Sequence, residues 1–72
     1  MATSKRWCFT LNNYRPCDID DVEQITCKYL VYGKEVGESG TPHLQGFVTF
    51  ATNKRLSGLK KILPAAHWER TR

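Results

Sequence analysis

Two runs of the chain alternate apolar and polar residues with a period of two, and that alternation commits them to half-buried strands. In Arg6–Asn13 the large side chains Trp7, Phe9 and Leu11 fall on one face, and Cys8, Thr10 and Asn12 on the other. In His43–Phe50, Leu44, Val48 and Phe50 share a face while His43 and Gln45 take the opposite one. Strands of this kind build an antiparallel sheet that buries one face and leaves the other free for polar groups.

The segments between these runs complete the order. Asn12-Asn13 signals a turn, and Asp18 is a good N-cap for a first helix in which Ile19, Val22 and Ile25 or Thr26 recur at helical spacing. Its acids, Asp20, Asp21 and Glu23, complement the helix dipole. Lys28–Gly33 is β-prone, and Gly37 and Gly40 turn the chain back toward His43. Thr52 or Asn53 caps a second helix with a Leu56, Leu59, Lys60, Leu63 stripe, ended by Pro64. Ala66–Arg70 alternates again as a fourth strand. The sequence therefore predicts an α+β, ferredoxin-like β-α-β-β-α-β fold: an antiparallel sheet with both helices on one face and the other face open.

Seventy-two residues make one small domain with a modest core. No apolar run is long enough for a membrane span, and the first residues carry no apolar signal core. Cys8, Cys17 and Cys27 are odd in number and lack zinc spacing, which points to a reducing compartment. The net charge of +4 conceals a strong asymmetry, because four of the seven acids lie between Asp18 and Glu23. Outside that window eleven basic residues face three acids, a balance that attracts polyanions such as nucleic acid. Trp7 and Trp68 are expected in the core rather than stacked on bases. Lys54, Arg55, Lys60 and Lys61 are either the solvated face of the second helix or a binding patch.

On the polar strand face, the His43 imidazole and the Gln45 amide stand side by side. They form half of a divalent-metal site, or else the polar face of an ordinary strand.

The run Trp7-Cys8-Phe9-Thr10-Leu11-Asn12-Asn13, followed by Pro42-His43-Leu44-Gln45-Gly46-Phe47, resembles motifs I and II of the replication-initiator (Rep) proteins of small circular single-stranded DNA viruses. Gly58-Leu59-Lys60-Lys61 and Ala66-His67-Trp68-Glu69 are similar to the nanovirus and satellite branch. The resemblance covers nearly the whole chain. It implies an HUH endonuclease that starts rolling-circle replication in the host nucleus, using Mg²⁺ or Mn²⁺. The implied metal ligands are His43 and Gln45 of motif II together with Glu35, with Glu38 as the competing acid. Motif I implies that Thr10, Asn12 and Asn13 position the single-stranded origin DNA, and Lys5 and Arg6 stand where they can reach phosphates.

The family's nucleophile is the tyrosine of a Tyr-x-x-Lys motif. Tyr14, Tyr29 and Tyr32 each lack a lysine three residues on, so the catalytic tyrosine is expected beyond Arg72. Residues 1–72 are thus expected to be the N-terminal part of the endonuclease domain, unable to nick DNA alone. Its expected partners are the rest of that domain and a helicase domain. Apolar surface left uncovered predicts self-association or low stability. The competing reading is a non-enzymatic single-strand binder of the RRM type. It shares the element order but stacks bases through a basic-Gly-aromatic start to its third strand, which His43–Phe50 lacks.

Overall fold

The computed structural model describes residues 3–38 and 40–71. Expectations attached to Met1, Ala2 and Arg72, and to Ser39 in the predicted glycine turn, lie outside the described residues. The chain runs β1 (Ser4–Asn12), α1 (Pro16–Glu23), β2 (Tyr29–Val36), β3 (Pro42–Lys54), α2 (Leu56–Ile62) and β4 (His67–Arg70). The strands form one sheet in the order β2-β3-β1-β4, with antiparallel pairing at each junction. This is an α+β architecture with the predicted succession of elements.

The alternation works as the sequence requires. Trp7, Phe9 and Leu11 of β1 pack with Leu44, Val48 and Phe50 of β3 and Trp68 of β4 in a single buried cluster. Val22 of α1 and Leu59 of α2 belong to the same cluster and are wholly buried, so both helices cover this one face. Phe9 and Trp68 meet with ring centroids 5.4 Å apart. The indole N–H of Trp7 donates to the carbonyl of Ser4 at 2.9 Å. Gly46 is forced by this packing: a Cβ there would lie 2.2 Å from Cζ of Phe9. Both tryptophans are core residues, as expected. Among the described residues no helix is long and apolar enough to cross a membrane.

Several boundaries differ from the sequence reading: most strand ends shift by one or two residues, α1 stops at Glu23, before Ile25 and Thr26, and three further differences bear on the site. Helix α1 begins two residues before Asp18, with Pro16 in its first turn and Arg15 as the N-cap residue. Proline suits that position because the N–H it lacks would have had no partner. Asp18 is instead the third helical residue, where its Oδ2 accepts the Arg15 backbone N–H at 2.7 Å. Strand β2 runs on through Glu35 to Val36, because the ladder with β3 continues to Val36↔Pro42. Strand β3 extends to Lys54, which pairs with Ser4, so Thr52 and Asn53 are strand residues and not caps. Arg55 takes the N-cap of α2 without a side-chain cap bond, and the helix still ends before Pro64.

Candidate metal and nucleic-acid face

The uncovered face of the sheet is a grid whose rows are fixed by strand register. One end row is Glu35–His43–Asn12, across β2, β3 and β1. The next is Gly33–Gln45–Thr10–His67, reaching β4. Then come Val31–Phe47–Cys8–Glu69 and, at the far end, Tyr29–Thr49–Arg6. Directly opposite residues project to the same side, so the register alone gathers Glu35, His43 and Gln45. One half of the face is polar and the other mostly apolar.

Glu35 is a strand residue directly across from His43, within β2 and past Gly33, where the sequence reading ended that strand. Its Oε1 lies 3.6 Å from Nε2 of His43. The imidazole is mostly covered, with 19% of its side chain exposed, whereas the Glu35 carboxylate is 57% exposed. A mostly covered imidazole nitrogen therefore stands beside an exposed carboxylate oxygen. Gln45 is exposed in the next row, on the same face. Glu38, the competing acid, is exposed beyond the end of β2 and outside these rows. Among the described residues no three His, Cys, Asp or Glu side chains gather as a metal cluster. Glu35 and His43 are two such groups, and the side chain nearest them in the next row of β3, Gln45, is an amide.

The other predicted contacts divide in two. Thr10 and Asn12 stand in the rows of Gln45 and His43. Asn13 leaves the sheet beside them with a left-handed φ of 53°, its backbone N–H donating to the Pro42 carbonyl at 2.8 Å. Arg6 lies on the same face at its far end, and Lys5 is exposed where the β1 register shifts, outside the rows. The structure thus separates Lys5 and Arg6 from the motif I residues. His67 pairs with Glu69 at 3.0 Å on the exposed edge strand, across Thr10 from Gln45.

The acidic cluster sits away from this face. Asp18, Asp20, Asp21 and Glu23 all belong to α1, which covers the opposite side of the sheet. Tyr32, on that side, has its phenol pKa pushed up, first by burial and then by Glu23. The Arg15 backbone N–H holds the Asp18 carboxyl below its ordinary range, and Asp18 in turn raises the Arg15 guanidinium. Cys8, on the open face, Cys17 and Cys27 are all free thiols.

The sequence reading missed the apolar half of the open face. Tyr29 and Val31 alternate within Lys28–Gly33 and Phe47 has the parity of His43, so the signal was present, but the register that sets Val31 beside Phe47 is not local information.

The chain matches the sequence model of a family described as "Putative viral replication protein" over residues 4–72. It is 51% identical to the replication-associated protein of canary circovirus, an alignment covering 99% of this chain and 26% of that protein. It is 45% identical to the master replication protein of faba bean necrotic yellows virus, covering 92% of this chain and 22% of that protein. With the Para-Rep C2 of subterranean clover stunt C2 alphasatellite the identity is 42%, with 92% and 25% covered. The chain spans about a quarter of the length of the curated relatives it matches.

Proposed function

The chain belongs to the viral replication protein family, and from that premise we propose that it is the metal-binding and DNA-positioning part of a Rep endonuclease. Such an enzyme nicks and rejoins single-stranded origin DNA to start rolling-circle replication, on this reading in the host nucleus. The observation that carries the proposal is the cross-strand pairing of Glu35 with His43, with Gln45 next on the same face. The fold in this reading is ferredoxin-like, with the helices on one side and the chemistry on the other.

The donors fit a hard divalent cation: an imidazole nitrogen, a carboxylate and an amide oxygen, with positions left for water and substrate. When bound, Mg²⁺ or Mn²⁺ supplies Lewis-acid polarisation of a non-bridging phosphate oxygen. His43 fixes the site because its ring is held among neighbours. Glu35 supplies negative charge and can adjust its position. The Thr10 hydroxyl and Asn12 amide, beside them, can donate hydrogen bonds to the DNA strand and hold it in register. Arg6 at the far end can meet a phosphate.

No tyrosine described here is placed to attack at this site. Tyr29 is on the open face but three rows, or about 20 Å of strand, from His43. Tyr14 and Tyr32 pack against the core cluster. We therefore assign binding and positioning to this chain, and the attacking tyrosine and helicase activity to other parts of the Rep protein. The RRM-type reading draws support from Phe47 on the open face of β3. It gives no role to the Glu35–His43 pairing.

A calorimetric Mn²⁺ titration tests the proposal. The parent chain should bind a single equivalent, His43→Ala should abolish binding, and Gln45→Leu should weaken it. Mn²⁺ affinity indifferent to both substitutions would overturn the assignment and favour the non-enzymatic reading.

A further inference from the structure

Beside the polar half of the open face lies a shallow depression of about 400 Å³, within the size range of small-ligand pockets. Val31, Phe47 and Cys8 form its apolar floor and walls, and Gln45 borders it toward the candidate metal site. Its openness depends on Gly33. A Cβ built there meets nothing within 4 Å, so any side chain at that position would project into the depression. Val31 is 48% exposed, and Tyr29 in the next row, 57% exposed, meets Phe47 edge-on with ring centroids 6.5 Å apart. A domain this small has left two large apolar side chains in solvent around a gap its sequence keeps empty.

We propose that this depression seats one nucleobase of a single-stranded DNA that crosses the open face. The inference rests on the reading of this face as the DNA site, and it adds where a base goes. Three features select DNA as the occupant. The face continues directly from the candidate phosphate-handling row, and Phe47 lies about 13 Å of strand from His43, roughly two nucleotides of extended backbone. Arg6, at the far end, offers a phosphate contact beyond the base. Each carboxylate on the face has a histidine beside it, Glu69 with His67 at 3.0 Å and Glu35 with His43 at 3.6 Å, and the chain as a whole carries +4. The walls are apolar and the polar border is a single amide, so contact is through the flat face of the base and tolerates base identity.

The experiment measures binding of this chain to a fluorescein-labelled oligothymidylate and to an abasic oligomer of the same length, by anisotropy. Removing the bases should weaken binding by the roughly fivefold to hundredfold typical of one base on an aromatic surface. Gly33→Val should lower affinity for oligothymidylate and shrink the abasic penalty, because the valine occupies the seat. It should not lower the melting midpoint, since the space it enters is empty and a β-branched residue suits a strand. Phe47→Ala, which removes the floor instead of filling it, should shrink the penalty in the same way. An abasic penalty unchanged in both variants overturns the seat while leaving DNA binding intact. No binding of either oligomer by the parent chain overturns the reading of the face itself and the seat with it. Association of the chain with itself through this face, relieved by Val31→Ser with no change in DNA affinity, would also overturn it.

Discussion

Gly33 and Gly46 lie in the same hairpin, in adjacent rows, and face opposite sides of the sheet. At Gly46 a single added carbon would overlap the ring of Phe9, whereas at Gly33 it would touch nothing. The two faces they represent differ in the same way. On the closed face Phe9, Leu11, Leu44 and Val48 are at most 2% exposed, and both helices pack down on them. On the open face the row of Glu35 and His43 is separated by the row of Gly33 and Gln45 from a patch where Val31 and Tyr29 are about half exposed. The contrast teaches that this domain draws its stability from one face and keeps the other free of packing, so that stability and chemistry can be altered separately.

The largest effects should come from the closed face. Phe9→Ala removes a fully buried ring and should cost about 3–5 kcal/mol. A chain of this length has roughly 4–11 kcal/mol in total, so the variant should be close to unfolded in a urea titration. Gly46→Ala should cost about 3 kcal/mol, the upper end for overpacking, because the contact is with a ring wedged beside Trp68. Combining it with Phe9→Leu should recover part of that loss. If Gly46→Ala is neutral and shows no coupling to Phe9, the closed face is less tightly filled than its geometry indicates.

The open face should respond in the opposite manner. Glu35→Gln should change the stability of the metal-free chain by no more than about 0.5 kcal/mol, as surface substitutions do, and His43→Ala, which removes a mostly covered ring, by about 1 kcal/mol. With Mn²⁺ present at a hundredfold excess over its dissociation constant, the parent should gain about 2.7 kcal/mol, and both variants should lose that gain. A large loss without metal would mean that these residues hold the fold together. The division between the faces would then fail.

Much of this division was legible in the sequence, and the parts that were not have physical causes. The alternation of Trp7, Phe9 and Leu11 against Cys8, Thr10 and Asn12 assigns faces correctly because side-chain direction in a strand follows from local geometry. The end of β2 was misplaced because Lys34 and Glu35, which follow Gly33, have poor intrinsic strand preference. They are held in the sheet by hydrogen bonds to β3, a non-local cause. That error hid the pairing of Glu35 with His43. Thr52 and Asn53 looked like caps because their side chains suit that role, but pairing at Ser4↔Lys54 carries the strand past them. Asp18 was assigned the right helix and the wrong place in it, since an acid directly before Ile19 and one turn before Val22 fits either the cap or the third position.

That third position gives the smallest predicted effect, and it belongs to the closed side of the molecule. Asp18 accepts the Arg15 N–H at the start of α1, and this bond holds its carboxyl below the ordinary range. Its folded pKa is therefore lower than its unfolded one, so across the acid range the unfolded chain binds more protons and stability rises with pH. The contribution is complete above the unfolded value, about 3.9 for an aspartate, and disappears as pH falls through the folded value. Asp18→Asn should be slightly less stable than the parent at neutral pH, and the gap between their urea midpoints should close on acidification. Because the carboxylate accepts a bond from the backbone itself, added salt should leave most of the neutral-pH gap in place. A gap that persists unchanged into acid would mean the bond depends on the shape of the side chain and not on its charge, and α1 would then have no titrating anchor at its N-terminus.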